Sequence, residues 1–372
     1  MRIAKIEAWP VLLPLKGIFV SSHGSRASTA RTVVRVTTDD GATGYGESFR
    51  GAATAHVIDQ LAPRLLGRDV FAVEALQDDL RMVPFFFGYI GYAALAGIEM
   101  ACLDAIGRAR GVSLAEWLGG ARRTHIPITG LLTRALGDTP AALGEAARAM
   151  VAEAGYRTLK VKGSHNADAD AALCEGVRRA VGQAIGLRVD PNAAWSVPDS
   201  VRVGRRLEAA GMEWLEDPCA GLEGMADVRR QVRIPLCTNM CVVRLEEVAP
   251  AVRLRAVDVI HADVHKWGGV CPTRRLAAIC GAFGLGMSMH SGGEAGLSTA
   301  CHLHVAAAMP EIGYAIDSMH EMLADDIVAE GPLPVRDGGL HLPAAAPGLG
   351  VTVDPEKLRF YAERYEEEDP TG

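Results

Sequence analysis

The sequence of 372 residues predicts an α/β protein, a (β/α)8-type (TIM-like) barrel with an N-terminal α+β capping domain. Three observations lead there. From "HIPITGLL" onward, short apolar runs alternate with helical stretches seven or eight times, which favours a parallel barrel over an open sheet. The polar residues Lys160, Asp190, Glu216, Asn239, Asp263, His290 and Asp317 each close or follow one of these runs, at intervals of 23 to 30 residues. One strand, one helix and two loops take about that length, and such barrels carry their chemistry at the C-terminal strand ends. A linear list therefore becomes a ring around one mouth. Thirdly, the first 50 residues alternate as antiparallel strands and the next stretch is helical, which makes a separate cap.

In order along the chain, "RIAKIEAWPVLLPL" alternates as a strand, and "ARTVVRVTTDDGATGYGE" is a hairpin turning at Asp40-Gly41. The polar "KGIFVSSHGSRAS" between them is expected to be a mobile loop. Residues 54–120 are helical in pattern, and "GYAALAGIEMACLDAIGRARG" ends at Gly111. "DTPAALGEAARAMVAEAG" is a helix with Asp138 or Thr139 as N-cap and Gly155 just past its end. The expected organisation is a capping domain over 1–124, a barrel over 125–322, and a segment over 323–372 that returns to the cap. The terminal "ERYEEEDPTG" reads as a frayed acidic tail.

Composition excludes several classes. The chain is 49% hydrophobic and 22% charged, with net charge −7 and interspersed signs, so no basic stripe invites nucleic acid. No apolar run in the sequence reads as a membrane span of about 20 residues. The N-terminus is strand-like and lacks a signal-peptide core, so the expected location is the cytoplasm. The eight cysteines are scattered and show no paired CxxC spacing, which fits reduced core thiols better than a zinc site. The expected partner is a small-molecule carboxylate substrate, in a homo-oligomer without nucleic-acid or membrane partners.

The ring itself suggests chemistry. Asp190, Glu216 and Asn239 are oxygen donors on three successive strand ends, and neighbouring strands lie about 4.8 Å apart, so the three can converge on one ion. Oxygen-only ligation with two charges favours Mg²⁺. Any one of these residues alone reads better as a helix cap or surface ion pair; three in phase do not. Lys160 and Lys162, one residue apart on a strand, point to the same side. Burying them is costly unless anions await them. His290 lies one strand beyond Asp263, which can orient an imidazole. Of the competing histidines, His302 and His304 fall inside a helix pattern, while His261 and His265 stay open. A metal that holds a carboxylate, with a lysine and a histidine on opposite walls, suits removal of an α-proton.

These motifs resemble the enolase superfamily, its mandelate racemase branch, and within that the glucarate dehydratase group. "LKVKG" resembles the family's Lys-x-Lys, and "VDPNAAW", "WLEDP" and "IPLCTNM" resemble its three metal-ligand strands. The Asn of "TNM" is similar to the glucarate dehydratase group in particular. "HADVHKWGG" and "MSMHSGGEAGLS" resemble the segments of the His–Asp dyad, "AIDSMH" the eighth strand end, and "SSHGSRASTARTVV" the lid loop. The resemblance implies one Mg²⁺, held by Asp190, Glu216 and Asn239. It implies Lys160, Lys162, Asp263 and His290 as catalytic residues. His23 and Asp317 then become candidate substrate contacts, with Arg26 and Arg50 added from lid-like placement and Lys266 from its place beside the dyad. Leu131 and Thr133 stand where glucarate dehydratases carry aromatic residues, so the implied substrate is a different acid sugar or hydroxy acid.

The expected function is Mg-dependent dehydration of a hydroxy-carboxylate by a lyase. A racemase or epimerase with the same two bases is the alternative. A cycloisomerase using Lys162 and Lys266, or a non-catalytic barrel, fits less well.

Overall fold

The computed structural model describes residues 1–80, 82–343 and 346–368. Strands β1 (Ile3–Ser21), β2 (Gly24–Thr38) and β3 (Thr43–Phe49) form an antiparallel sheet in sequence order. Helices α1 (Ala52–Leu65), α2 (Val73–Asp79), α3 (Val83–Phe87), α4 (Tyr89–Arg110) and α5 (Leu114–Trp117) follow. The β2–β3 turn is at Gly41, as expected, with φ 86°. The segment expected to be a mobile loop is instead the far end of the β1–β2 hairpin. Pairing continues through Phe19↔Arg26 and Ser21↔Gly24 beyond a register shift, and only Ser22 and His23 turn. α4 packs flat on β3, because a side chain at Gly44 would strike the α4 backbone at Ala101 and Ala105. α4 is long and apolar enough to cross a membrane, but it is 89% buried inside this fold.

The barrel alternates β4 (His125–Leu132), α6 (Pro140–Ala154), β5 (Thr158–Lys162), α7 (Ala167–Val181), β6 (Gly186–Asp190), α8 (Val197–Leu207), β7 (Trp214–Glu216) and α9 (Leu222–Arg229). It continues through β8 (Leu236–Thr238), α10 (Leu245–Leu254), β9 (Val259–Ala262), α11 (Val270–Phe283), β10 (Gly286–Met289), α12 (Gly296–Ala308) and β11 (Ile316–Asp317). The eight strands run parallel in the order β10-β9-β8-β7-β6-β5-β4-β11. The ends of this curled sheet approach each other through a Met287↔Ile312 bridge and the Ser288 hydroxyl, which donates to the Ala315 carbonyl at 3.0 Å. Local capping starts several helices. Thr139, not Asp138, caps α6 by accepting from the Ala142 N–H at 3.2 Å, and Asn166 and Ser196 cap α7 and α8 in the same way.

The C-terminal segment does more than return to the cap. β12 (Gly339–His341) pairs antiparallel with the start of β4. α13 (Pro355–Glu368) absorbs most of the expected frayed tail, because Tyr361 and Tyr365 are buried and the Ala52 N–H donates to the Tyr365 hydroxyl at 3.1 Å. The last four residues of that tail, 369–372, lie outside the described residues.

Helices α11 and α12 begin at Gly269 and Ala295, which have no side chain able to cap. Their caps come from the other domain. Glu99 of α4 accepts from the N–H groups of Val270 and Cys271. Glu47 of β3 accepts from Ala295 at 2.9 Å and Ser298 at 2.8 Å. A carboxylate at a helix N-terminus meets both the free N–H groups and the positive end of the dipole. Buried Glu47 is paired with buried Arg31 at 2.5 Å, whereas burial pushes the Glu99 carboxyl up to about 7. A folded value above the unfolded 4.5 means that this contribution is complete below about 4.5 and is lost as pH rises through about 7. Glu99→Gln is therefore expected to gain stability relative to the parent over that window, by on the order of 3 kcal/mol. Thermal unfolding of both proteins across this pH range checks it, and a pH-independent difference would contradict it.

Candidate active site

Strand alternation builds the mouth in two layers. On β5, Leu159 and Val161 pack into the core while Lys160 and Lys162 turn the other way. The Lys160 ammonium, 2% exposed, lies 3.1 Å from both Glu216 carboxylate oxygens and 3.7 Å from Asp190, and it donates to Asp317. Burial alone would lower its pKa, but Asp317, Glu216 and Asp190 outweigh burial and hold it above its ordinary value. Lys162 donates to Asp190 Oδ2 at 2.5 Å. Asn192 steadies the same carboxylate through its backbone N–H and its amide, at 2.9 and 3.1 Å.

Glu216 and Asn239 meet directly, with Asn239 Nδ2 donating to Glu216 Oε1 at 2.7 Å. The Lys266 ammonium donates to Asn239 Oδ1 at 2.7 Å and to its carbonyl at 3.1 Å. Burial lowers the Lys266 pKa despite the surrounding carboxylates. Burial would raise Glu216, yet Lys160 and His261 hold it well below the usual carboxylate range. Asp190, Glu216 and Asn239 thus converge on the buried lysine cluster with only oxygen and amide groups, a donor set that fits a hard divalent cation. A half-turn of the Asn239 amide would present its oxygen on the Glu216 side.

The dyad forms as expected: His290 Nδ1 lies 3.1 Å from Asp263 Oδ2. The other carboxylate oxygen of Asp263 accepts from the His265 backbone N–H and faces His265 Nδ1, both at 2.9 Å. Burial would raise Asp263, but His265 and then His290 keep it well below its ordinary range. Burial and the nearby Lys266 charge lower His290 to about 4, against the pull of Asp263. It is neutral near pH 7 and able to accept a proton.

The substrate-contact candidates divide. Asp317 joins the Lys160 cluster, and Lys266 joins Asn239. The hairpin tip reaches the mouth, since the Ser22 hydroxyl donates to the Pro191 carbonyl at 2.9 Å, one residue beyond Asp190. Its neighbour His23 is exposed there. Arg26 donates to the Gly292 carbonyl at 3.3 Å, on the loop after His290. Arg50, just past the end of β3, is exposed, at φ 72°, and is not drawn into this cluster.

Sequence reasoning left a lower layer unassigned. Arg188, Trp214, His261 and Ser288 each stand two residues before a strand-end residue or the residue beyond it, so period two could have found them. Arg188 stacks 3.6 Å over the Trp214 ring and lies 3.7 Å from Asp317. His261 Nδ1 is 3.1 Å from Glu216 Oε2, a close contact without hydrogen-bond alignment. Asp217 braces Asn239 by accepting its N–H at 2.7 Å, a contact with no signal in the spacing.

Residues 5–119 match the family described as the mandelate racemase / muconate lactonizing enzyme N-terminal domain, and residues 142–357 match the enolase C-terminal domain-like family. The chain belongs to the enolase superfamily. Within it, a probable glucarate dehydratase of Streptomyces coelicolor is 32% identical over 100% of this chain and 93% of its own length. A chloromuconate cycloisomerase of Cupriavidus pinatubonensis is also 32% identical (97% and 99%), and an N-succinyl-L-Arg/Lys racemase of Bacillus cereus is 27% identical (96% and 97%). Among solved structures, an enolase from Streptomyces coelicolor is 51% identical with TM-score 0.96 over 100% of both chains. An enolase from Thermobispora bispora, complexed with magnesium and formate, is 34% identical with TM-score 0.90 over 98% of this chain and 93% of its own. The superfamily member described here is thus of the mandelate racemase branch and similar to glucarate dehydratase.

A neutral His290 sets a pH expectation. The acid limb of kcat/KM that reports its protonation should fall near 4 rather than at 6.5. A pH–rate profile checks this, and a limb at 6.5 that disappears in His290→Gln would contradict it.

Proposed function

We propose that this enzyme dehydrates a hydroxy-carboxylate of the acid-sugar type in the presence of Mg²⁺. The observation that carries the reading is the oxygen triad beside a buried lysine pair on one wall, with the neutral, Asp263-held His290 across the ring. Similarity to the probable glucarate dehydratase and to a magnesium-containing enolase supports it. Asp190, Glu216 and Asn239 would hold the cation. Bound there, it would offset the negative charge that builds on the substrate carboxylate as the α-proton leaves. Lys160, a fixed cation, contributes in the same sense.

Lys162 serves one face of the α-carbon, and His290 serves the other. The α-proton taken by His290 Nε2 gives an imidazolium held at Nδ1 by Asp263. That cation returns the proton to the β-hydroxyl as the carbon–oxygen bond breaks. Water leaves, and the enol left behind tautomerises to a 2-keto acid. His23, Arg26, Lys266 and Asp317 are proposed substrate contacts, and the hairpin tip suits a polyhydroxylated chain. Leu131 and Thr133 are buried at the end of β4, and an acid sugar other than glucarate follows from that less aromatic wall.

Racemisation is the second reading, because the two bases suit it equally and the Bacillus cereus relative is a racemase.

Screening acid sugars and hydroxy acids with Mg²⁺ should give a keto acid trapped by semicarbazide. Clean interconversion of stereoisomers without keto acid would favour the racemase reading instead. In deuterium oxide, Lys162→Ala should lose α-proton exchange of one epimer and His290→Gln that of the other. Unchanged exchange of both epimers in both variants would overturn the base assignments.

A further inference from the structure

The dyad does not end at Asp263. His265 is fully buried, beneath the edge of the Phe49 ring with centroids 5.7 Å apart. Its Nδ1 faces Asp263 Oδ1 at 2.9 Å, and its Nε2 lies 2.8 Å from the Ser298 hydroxyl and 3.4 Å from Arg31 Nη2. Arg31 and Phe49 belong to the capping domain, and Ser298 to the first turn of α12. Arg31 is itself locked by Glu47, the carboxylate that caps α12.

Hydrogen-bond direction follows from donor chemistry. A guanidinium has donors only. An ionised carboxylate only accepts, so the ring proton sits on Nδ1 facing Asp263, and the neutral ring keeps its lone pair on Nε2, where it accepts from the Ser298 hydroxyl and faces Arg31. Nδ1–H then donates to Asp263 Oδ1, which also accepts the His265 backbone N–H. Both donors hold one oxygen of Asp263, so the other, Oδ2, is turned to His290 Nδ1. His290 is left with Nε2 as its reacting nitrogen.

We infer that His265 is a positioning residue for His290, acting through Asp263, with Arg31 of the capping domain and Ser298 of α12 facing its lone-pair nitrogen. Docking of the cap and orientation of the His290 base are then one hydrogen-bonded unit, while Lys162 on β5 lies outside it. This rests on the proposed role of His290 as the base for one face.

Two measurements on the full chain test it. In a histidine-15N-labelled protein at mildly alkaline pH, with His265→Asn and His290→Gln used to assign the signals, His265 should carry its proton on Nδ1. A proton on Nε2 would overturn the inference. The second uses α-proton exchange in deuterium oxide, with the epimer pair that the parent enzyme exchanges and Mg²⁺ present. His265→Leu should slow exchange on the His290 face by about 10- to 100-fold, the scale of a misplaced catalytic group, and leave the Lys162 face within about twofold. His265→Asn, whose amide can donate to Asp263 as Nδ1–H does, should recover most of the loss. Equal slowing on both faces, or no slowing on either, would overturn it. A parent enzyme that exchanges neither face would instead contradict the proposed bases, with the tautomer result still standing as a separate test.

Discussion

The mouth of this barrel depends on one electrostatic constraint. An ammonium with almost no access to water must be surrounded by carboxylates. Lys160 meets this through Asp317, Glu216 and Asp190, which come from three different strands. Neither side is stable alone. Removing one partner of a buried pair typically costs about 3–5 kcal/mol, because the remaining charge is left without compensation. The cluster thus fixes the relative positions of β5, β6, β7 and β11 at the ends where the chemistry is expected. Asp190 and Glu216 both reach the Lys160 ammonium, at 3.7 and 3.1 Å, and Asn239 is hydrogen-bonded to Glu216. The same charges hold Lys160 protonated and Glu216 ionised.

A second constraint joins the domains. Two barrel helices, α11 and α12, start at residues that cannot cap them, and each takes a buried glutamate from the capping domain. The loops that lead into these helices carry Asp263, Lys266 and His290. The cap therefore reaches the site from two sides, with the hairpin tip over β6 and the glutamates behind β9 and β10. Side chains carried on loops gain from such bracing, since loops are otherwise the more mobile part of a fold.

Much of this was legible in the sequence. Strand-end residues at a repeat of one βα unit placed Lys160, Lys162, Asp190, Glu216, Asn239, Asp263, His290 and Asp317 on one ring, and the structure brings them there. The signal was strong because each residue interrupts an apolar run where burial would otherwise forbid it. Contacts between distant segments were not legible. Glu47 and Ser298 are 251 residues apart, and Glu99 and Val270 are 171 apart, with no local pattern that links them. His265 stood open among several histidines, because only its contact with Asp263 sets it apart. Only the far end of the β1–β2 hairpin reads as a mobile loop, because its polar composition hides an alternation that pairing completes.

The account turns on the convergence of Asp190, Glu216 and Asn239. A crystal structure grown with Mg²⁺ measures it most directly. An ion bound by oxygens of all three side chains, at about 2.0–2.1 Å, is the expected result. An ion held elsewhere, such as at the buried Glu216, Cys237 and His261 group, with Asp190 and Asn239 turned away, would contradict it.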